Sequence, residues 1–75
     1  MEPLSVEEQK KALQEEMERI RKDVFIFGKQ MKYYANLSAV GDHKQRNLGI
    51  AAQIKTTMEE KTQYYEQLER DLKAL

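Results

Sequence analysis

The stretch Asn36-Leu37-Ser38-Ala39-Val40-Gly41-Asp42 decides how this chain folds, because it separates two arms that carry the same apolar rhythm. Gly41 can take the left-handed conformation that follows a helix end, and Asp42 with Gln45 spells a capping box. One helix should stop here and another begin. Working back from the break, apolar residues fall at Tyr34, Met31, Phe27, Val24, Ile20, Met17, Leu13 and Val6, in steps of three and four as far as Leu13. That is a heptad seam, broken only by Lys10. At its far end, Ser5-Val6-Glu7-Glu8 after Pro3 is another capping box: the Ser5 hydroxyl can accept from the Glu8 amide while the Glu8 carboxylate reaches back to Ser5.

Working forward, the seam resumes at Ala51, Ile54, Met58, Lys61, Tyr65, Leu68, Leu72 and Leu75 with the same period of 3.5. Each arm is about 33 residues, or roughly 50 Å of helix. Equal arms about a short break predict an all-α fold, a two-helix antiparallel coiled-coil hairpin, with helix 1 at about 5–38, a turn at about 39–42 and helix 2 at about 43–75. In an antiparallel coil an a position faces a d position. Pairing residues whose numbers sum to 85 does this throughout: Leu13 with Leu72, Met17 with Leu68, Ile20 with Tyr65, Phe27 with Met58, Met31 with Ile54, and Tyr34 with Ala51. Two layers fit less well. Val24 faces Lys61, whose stem can run along the seam with its ammonium in water, so Lys61→Leu is expected to stabilise; Glu16 falls near Asp71 with like charge. Gly28 and Gly49 lie inside helices, where each costs about 1 kcal/mol relative to alanine unless it permits close backbone approach.

Composition narrows the function. A chain of 75 residues is one domain, and at this size about 60% of the unfolded surface is buried on folding, so stability as a monomer is marginal. Cysteine is absent and histidine single, which leaves no disulfide or conventional zinc site to staple it. Acidic and basic residues balance at 13 each, but unevenly: residues 24–58 hold five basic side chains and one acidic, while the remainder is acidic. No apolar run approaches the roughly 18 residues of a membrane span, no signal-peptide layout is present, and the chain reads as cytoplasmic or nuclear. Asp42, His43 and Ser38 superficially supply acid, base and nucleophile, yet a hairpin tip offers no desolvated pocket or oxyanion donors, so catalysis is not expected. Asp42 is better read as a helix cap and His43 as a first-turn residue. No phosphate loop, H-E-x-x-H pair or calcium loop occurs, and no cofactor or metal is implied.

Binding is another matter. Val24-Phe25-Ile26-Phe27 is apolar around much of the helix, although one seam can cover only Val24 and Phe27. Phe25 and Ile26 are left over. Below Ile26 the same face continues to Tyr33, Leu37 and Val40, and helix 2 adds Leu48 and Ile50 near the same end. A contiguous patch of this kind marks a partner surface, here placed on the loop-proximal half and including Lys29 and Lys32. Lys29, Lys32, Lys44, Arg46 and Lys55 beside Tyr33 and Tyr34 could also grip an acidic surface, whereas five dispersed cations make nucleic acid an unlikely ligand.

Lys29 to Asn36 followed by Gly41-Asp42, together with Tyr65-Glu66-Gln67-Leu68, resembles the homology-region-one coiled coils of Rho-family GTPase effectors, which are antiparallel helical hairpins of about this size. The resemblance covers about a third of the chain. It implies that a small GTPase docks near the tip through Lys32, Tyr33 and their neighbours. The residues themselves favour a non-catalytic assembly module that self-associates or binds a helical partner, with the seam still running at Leu75 as in the oligomerisation segment of a longer chain. A GTPase-binding adaptor is the alternative, and a nucleic-acid-binding hairpin ranks below both. The register makes one direct prediction: Leu13→Cys with Leu72→Cys crosslinks within one chain under oxidising conditions. A doubly substituted variant that stays helical by circular dichroism but does not crosslink would refute the register.

Overall fold

A computed structural model describes residues 2–39, 41 and 43–75. It consists of helix α1, Val6–Ser38, and helix α2, Lys44–Lys73, packed along each other as an antiparallel hairpin. The molecule is a rod of 56 × 22 × 14 Å. Its radius of gyration, 17.1 Å, exceeds the roughly 11 Å of a compact 75-residue domain, as expected when the only tertiary contact is one helix lying along another.

Both halves of the Ser5–Glu8 capping box form: the Glu8 amide donates to Ser5 Oγ and the Ser5 amide to Glu8 Oε1, each at 3.2 Å. Two of the four orphan amides at the start of α1 therefore have partners, and Glu7 and Glu8 sit favourably against the positive end of the helix dipole. The tip departs from expectation. Helix α1 ends through Ala39 in the right-handed region, its amide donating to Asn36 O at 3.1 Å, and neither Gly41 nor any other described residue has positive φ. A tightened last turn satisfies a terminal carbonyl without a left-handed residue. The N-cap of α2 is His43, the residue after Asp42, where the capping box expected from sequence starts, and the His43 side chain makes no capping hydrogen bond. Its ψ of 38° is not the extended geometry that lets a cap residue reach forward. Asp42 itself, like Val40, lies outside the described residues.

The seam runs as read. Lys61 with Asp23, Lys61 with Phe27, Tyr64 with Glu16, and Met58 with Gly28 are brought together, and their sums of 80 to 88 bracket the expected 85. Ile20 is 1% exposed, Ala51 and Leu68 are also buried, and the other apolar seam residues from Leu13 to Leu72 are half-buried. Val6 and Leu75 leave the seam: with that offset α1 overhangs the end of α2, so Val6 has nothing to face, and Leu75 falls beyond Lys73, where α2 stops. Ser38 closes the tip end, buried, its hydroxyl donating to Ala35 O at 2.6 Å.

Lys61 is not a bare defect. Its ammonium lies 3.4 Å from Asp23 Oδ2 and 5.8 Å from the centre of the Phe27 ring. A partly exposed ion pair and a cation–π contact are each worth up to about 1 kcal/mol, which cancels most of the gain expected from Lys61→Leu. Glu16 and Asp71 each have a local donor, Arg19 Nε at 2.6 Å for the first and Gln67 Nε2 at 2.8 Å for the second, so neither carboxylate depends on the other's neighbourhood.

The glycines give no closer packing. A methyl group on Gly28 would meet Met58 Cε at 3.7 Å, an ordinary contact, and one on Gly49 would meet nothing within 4 Å. Gly28→Ala and Gly49→Ala should therefore each raise stability by about 1 kcal/mol through helix propensity alone. Urea denaturation followed by circular dichroism measures this, and a loss at Gly28 would mean that the helices approach more closely there than the structure places them.

Candidate interaction surface

The surface is built outward from the seam. Residues next to seam positions fall on one of two flanks of the hairpin, and the structure assigns them. On one flank Phe25 joins Arg21, Val24, Ile20, Thr62 and Tyr65 around an open, largely apolar groove of 330 Å³ midway along the rod. On the other, Tyr33 joins Lys29, Gln30, Tyr34, Ile50 and Ile54 around a groove of 460 Å³ nearer the tip.

This divides the patch read from sequence. Phe25 and Ile26 are adjacent, so their side chains leave the helix about 100° apart. They share a shallow hollow with Glu18, Arg21 and Lys22 on the outer face of α1, but Phe25 turns to one groove, while Ile26 lies seven residues before Tyr33 on the other flank. Phe25 is 63% exposed, Ile26 52% and Tyr33 59%. Lys29 and Lys32 are exposed. Leu48 is 45% exposed and lies fourteen residues before Thr62, hence on the Phe25 flank. Leu37 and Ile50 are half-buried, because positions directly beside the seam are shielded by the facing helix. Leu37 borders a tip hollow with Gly41, His43, Arg46 and Asn47, and Ile50 forms part of the floor of the Tyr33 groove. Val40 falls among the residues not described. The stripe from Ile26 through Tyr33 and Leu37 therefore keeps to one flank together with Ile50, while Phe25 and Leu48 belong to the opposite flank.

Local contacts rigidify the aromatic side chains. The Lys29 ammonium lies 5.4 Å from the centre of the Phe25 ring, and Tyr33 packs edge-on against Tyr34 with ring centres 5.3 Å apart. Both arrangements hold large amphipathic groups at the surface with few rotamers left to lose on binding. Tyr34, Ile54, Thr62 and Tyr65 complete the grooves, and of these only Tyr34 is read from sequence as a surface contact. Their signal was present in the register, since a half-covered seam residue next to an outward aromatic makes a groove wall.

The charges divide as sharply. Every ion pair among the described residues joins groups within 11–23 or reaches from there to Lys61: Lys11 with Glu15, Glu16 with Arg19, Arg19 and Lys61 with Asp23, and Glu18 with Arg21. In the tip half, Lys29, Lys32 and Lys55 have no ion-pair partner among the described residues, and the first turn of α2 contains Lys44 and Arg46 but no acid. Cations at a helix N-terminus oppose the dipole by roughly 0.3–1 kcal/mol. Lys44 and Arg46 are thus not placed for the stability of α2.

The Ser38 hydroxyl is buried and donates to Ala35 O, whereas His43 is exposed. No helix among the described residues is long and apolar enough to cross a membrane. Comparison of the chain with protein-family models, with curated proteins and with solved structures returned no match.

Glu16 is the best-tied acid of the open half. Hydrogen bonding to Arg19 holds its carboxyl below the ordinary 4.5, assisted by the charge of Arg19 and by the Tyr64 hydroxyl donating across the hairpin at 3.3 Å. A folded-state pKa depressed in this way gives stability that is complete above the unfolded value and is lost as pH falls through the folded one. The thermal midpoint of Glu16→Gln should accordingly sit below the parent's at pH 6 and converge on it towards pH 3. Equal midpoints at pH 6 would show that the exposed network contributes nothing.

Proposed function

We propose that this hairpin is a non-catalytic assembly module, which joins chains by packing the apolar flanks of its tip half against helices of a second copy or of a helical partner. The observation that carries this reading is the exposure of Phe25, Ile26, Tyr33 and Leu48 on a rod whose buried apolar core is Ile20, Ala51 and Leu68. A mass of 8.9 kDa corresponds to about 4,800 Å² of surface in a compact monomer, and this chain exposes 6084 Å². The excess is more than the roughly 800 Å² that each partner contributes to an ordinary interface. Unneutralised lysines around the patch keep it hydrated while it is open and favour an acidic counterpart when it is covered.

The test takes the flanks separately, with Phe25→Ser on one and Ile26→Ser plus Tyr33→Ser on the other, all outside the seam. Helicity should survive in both, and at least one should lose association by about thirtyfold or more, the scale for truncating central aromatic contacts. Analytical ultracentrifugation over a concentration series gives self-association, and pull-down from a helical-peptide library gives partner binding. Retention of both by both variants, with loss on Glu-to-Ala changes at the open end, would put the working surface at the opposite end of the molecule. A GTPase-binding adaptor would instead require binding that depends on the nucleotide held by the GTPase, with Lys32→Glu and Tyr33→Ser as the variants that weaken it.

A further inference from the structure

We infer that the Phe25 flank is covered by a second copy of this chain, laid antiparallel across the first so that each tip half rests on the other's open half. This deepens the assembly reading and rests on it: it assigns one of the two flanks and names its occupant.

Charge points to a second copy. Residues 24–58 carry five basic and one acidic side chain, and the rest of the chain carries eight basic and twelve acidic. A hairpin with a net charge of zero is therefore a rod with four excess positive charges in its tip half and four excess negative charges in its open half. Two such rods side by side in the same direction bring like halves together. Reversing one of them brings opposite halves together along its length.

The Phe25 flank repeats this pattern at the level of single residues. Glu18, Phe25 and Lys32 are spaced by seven, so they share one face of α1 with Phe25 in the centre. A two-fold axis through Phe25 lays this stripe antiparallel on itself. Phe25 then meets Phe25 of the second copy beside the two 330 Å³ grooves, and each Lys32 meets the other copy's Glu18. Glu18 already holds Arg21 at 3.6 Å, with both side chains more than half exposed, which leaves its second carboxylate oxygen for Lys32. Gly28 and Ala35 on α1 and Ala52 on α2 are small neighbours that let the rods approach on the tip side of Phe25, while Arg21 and Leu48 are the larger side chains on this flank. A two-fold contact of this kind closes on itself, giving a dimer and not a filament, and the 56 × 22 Å face is large enough for an ordinary interface.

Charge reversal tests the arrangement, because symmetry doubles each change. Sedimentation equilibrium of the full chain at low ionic strength should show a dimer. Glu18→Lys and Lys32→Glu, each placing like charges together twice, should raise the dimer dissociation constant roughly tenfold, and the double variant E18K/K32E should restore it. Phe25→Ser should raise it about thirtyfold or more, with helicity unchanged by circular dichroism. Rescue by the double reversal is specific to the antiparallel pairing, since a parallel one would set residue 18 against residue 18 in every variant. A parent chain that is monomeric at all concentrations overturns this inference while leaving assembly with a different helical partner to the Ile26 and Tyr33 variants. A dimer indifferent to Phe25→Ser, or single reversals that the double does not rescue, overturns the inference as well.

Discussion

Two helices can meet along only one seam, and that limit governs the rest of this molecule. In a four-helix arrangement each helix buries residues against two neighbours, but here each has a single facing partner and a wide arc open to water. The seam is therefore half-covered along most of its length, with the buried apolar residues among those described being Ile20, Ala51 and Leu68. Whatever apolar side chain does not lie on it has nowhere inside the chain to go. Phe25, Ile26, Tyr33 and Leu48 are outside for that reason, and their exposure is a property of the architecture as much as of the individual residues.

Much of this was legible in the sequence because heptad spacing is a geometric signal. Steps of three and four from Leu13 to Tyr34 can place those side chains on only one face of a helix, and the a-to-d rule then leaves a single register that makes six apolar layers. The Ser5–Glu8 box was equally readable, since both of its bonds are local. The tip was not. Ending α1 through Ala39 or through a left-handed Gly41 is a choice between turns of similar cost, and His43 takes the cap position in a geometry its side chain cannot exploit. The division of the patch into two flanks was also hidden. Phe25 and Ile26 read as one apolar unit in a line of letters, but they leave the outer face of α1 in directions about 100° apart, and only the second helix shows that Phe25 borders a groove of one flank while Ile26 belongs to the other. Lys61 lies between these cases. The register put it beside Val24, and Asp23 is the adjoining residue, so its partner was one step away from the reading that treated it as unpaired.

The two halves of the rod use charge for different ends. In the open half, Glu16, Arg19, Asp23 and Lys61 form a connected set that ties α1 to α2, with Tyr64 closing it from the opposite helix. In the tip half, cations surround aromatic groups, and two of them occupy the helix end where they are electrostatically unwelcome. Arrangements that oppose local stability persist where something outside the fold rewards them, which supports the binding role proposed for the tip half.

The position of the open-half network along the chain also bears on how the hairpin forms. Layers next to the turn join residues close in sequence, whereas the Lys61–Asp23 contact closes a loop of 38 residues and the Tyr64–Glu16 contact one of 48. The entropic cost of loop closure grows only as the logarithm of length, so once the tip is made each successive layer adds little to it. The cross-helix polar contacts therefore belong to the longer loops, from the middle of the rod towards its open end. The half that exposes Phe25, Tyr33 and Leu48 is thus the half whose layers close the shortest loops, and its aromatic surface is set by the cheapest contacts in the hairpin.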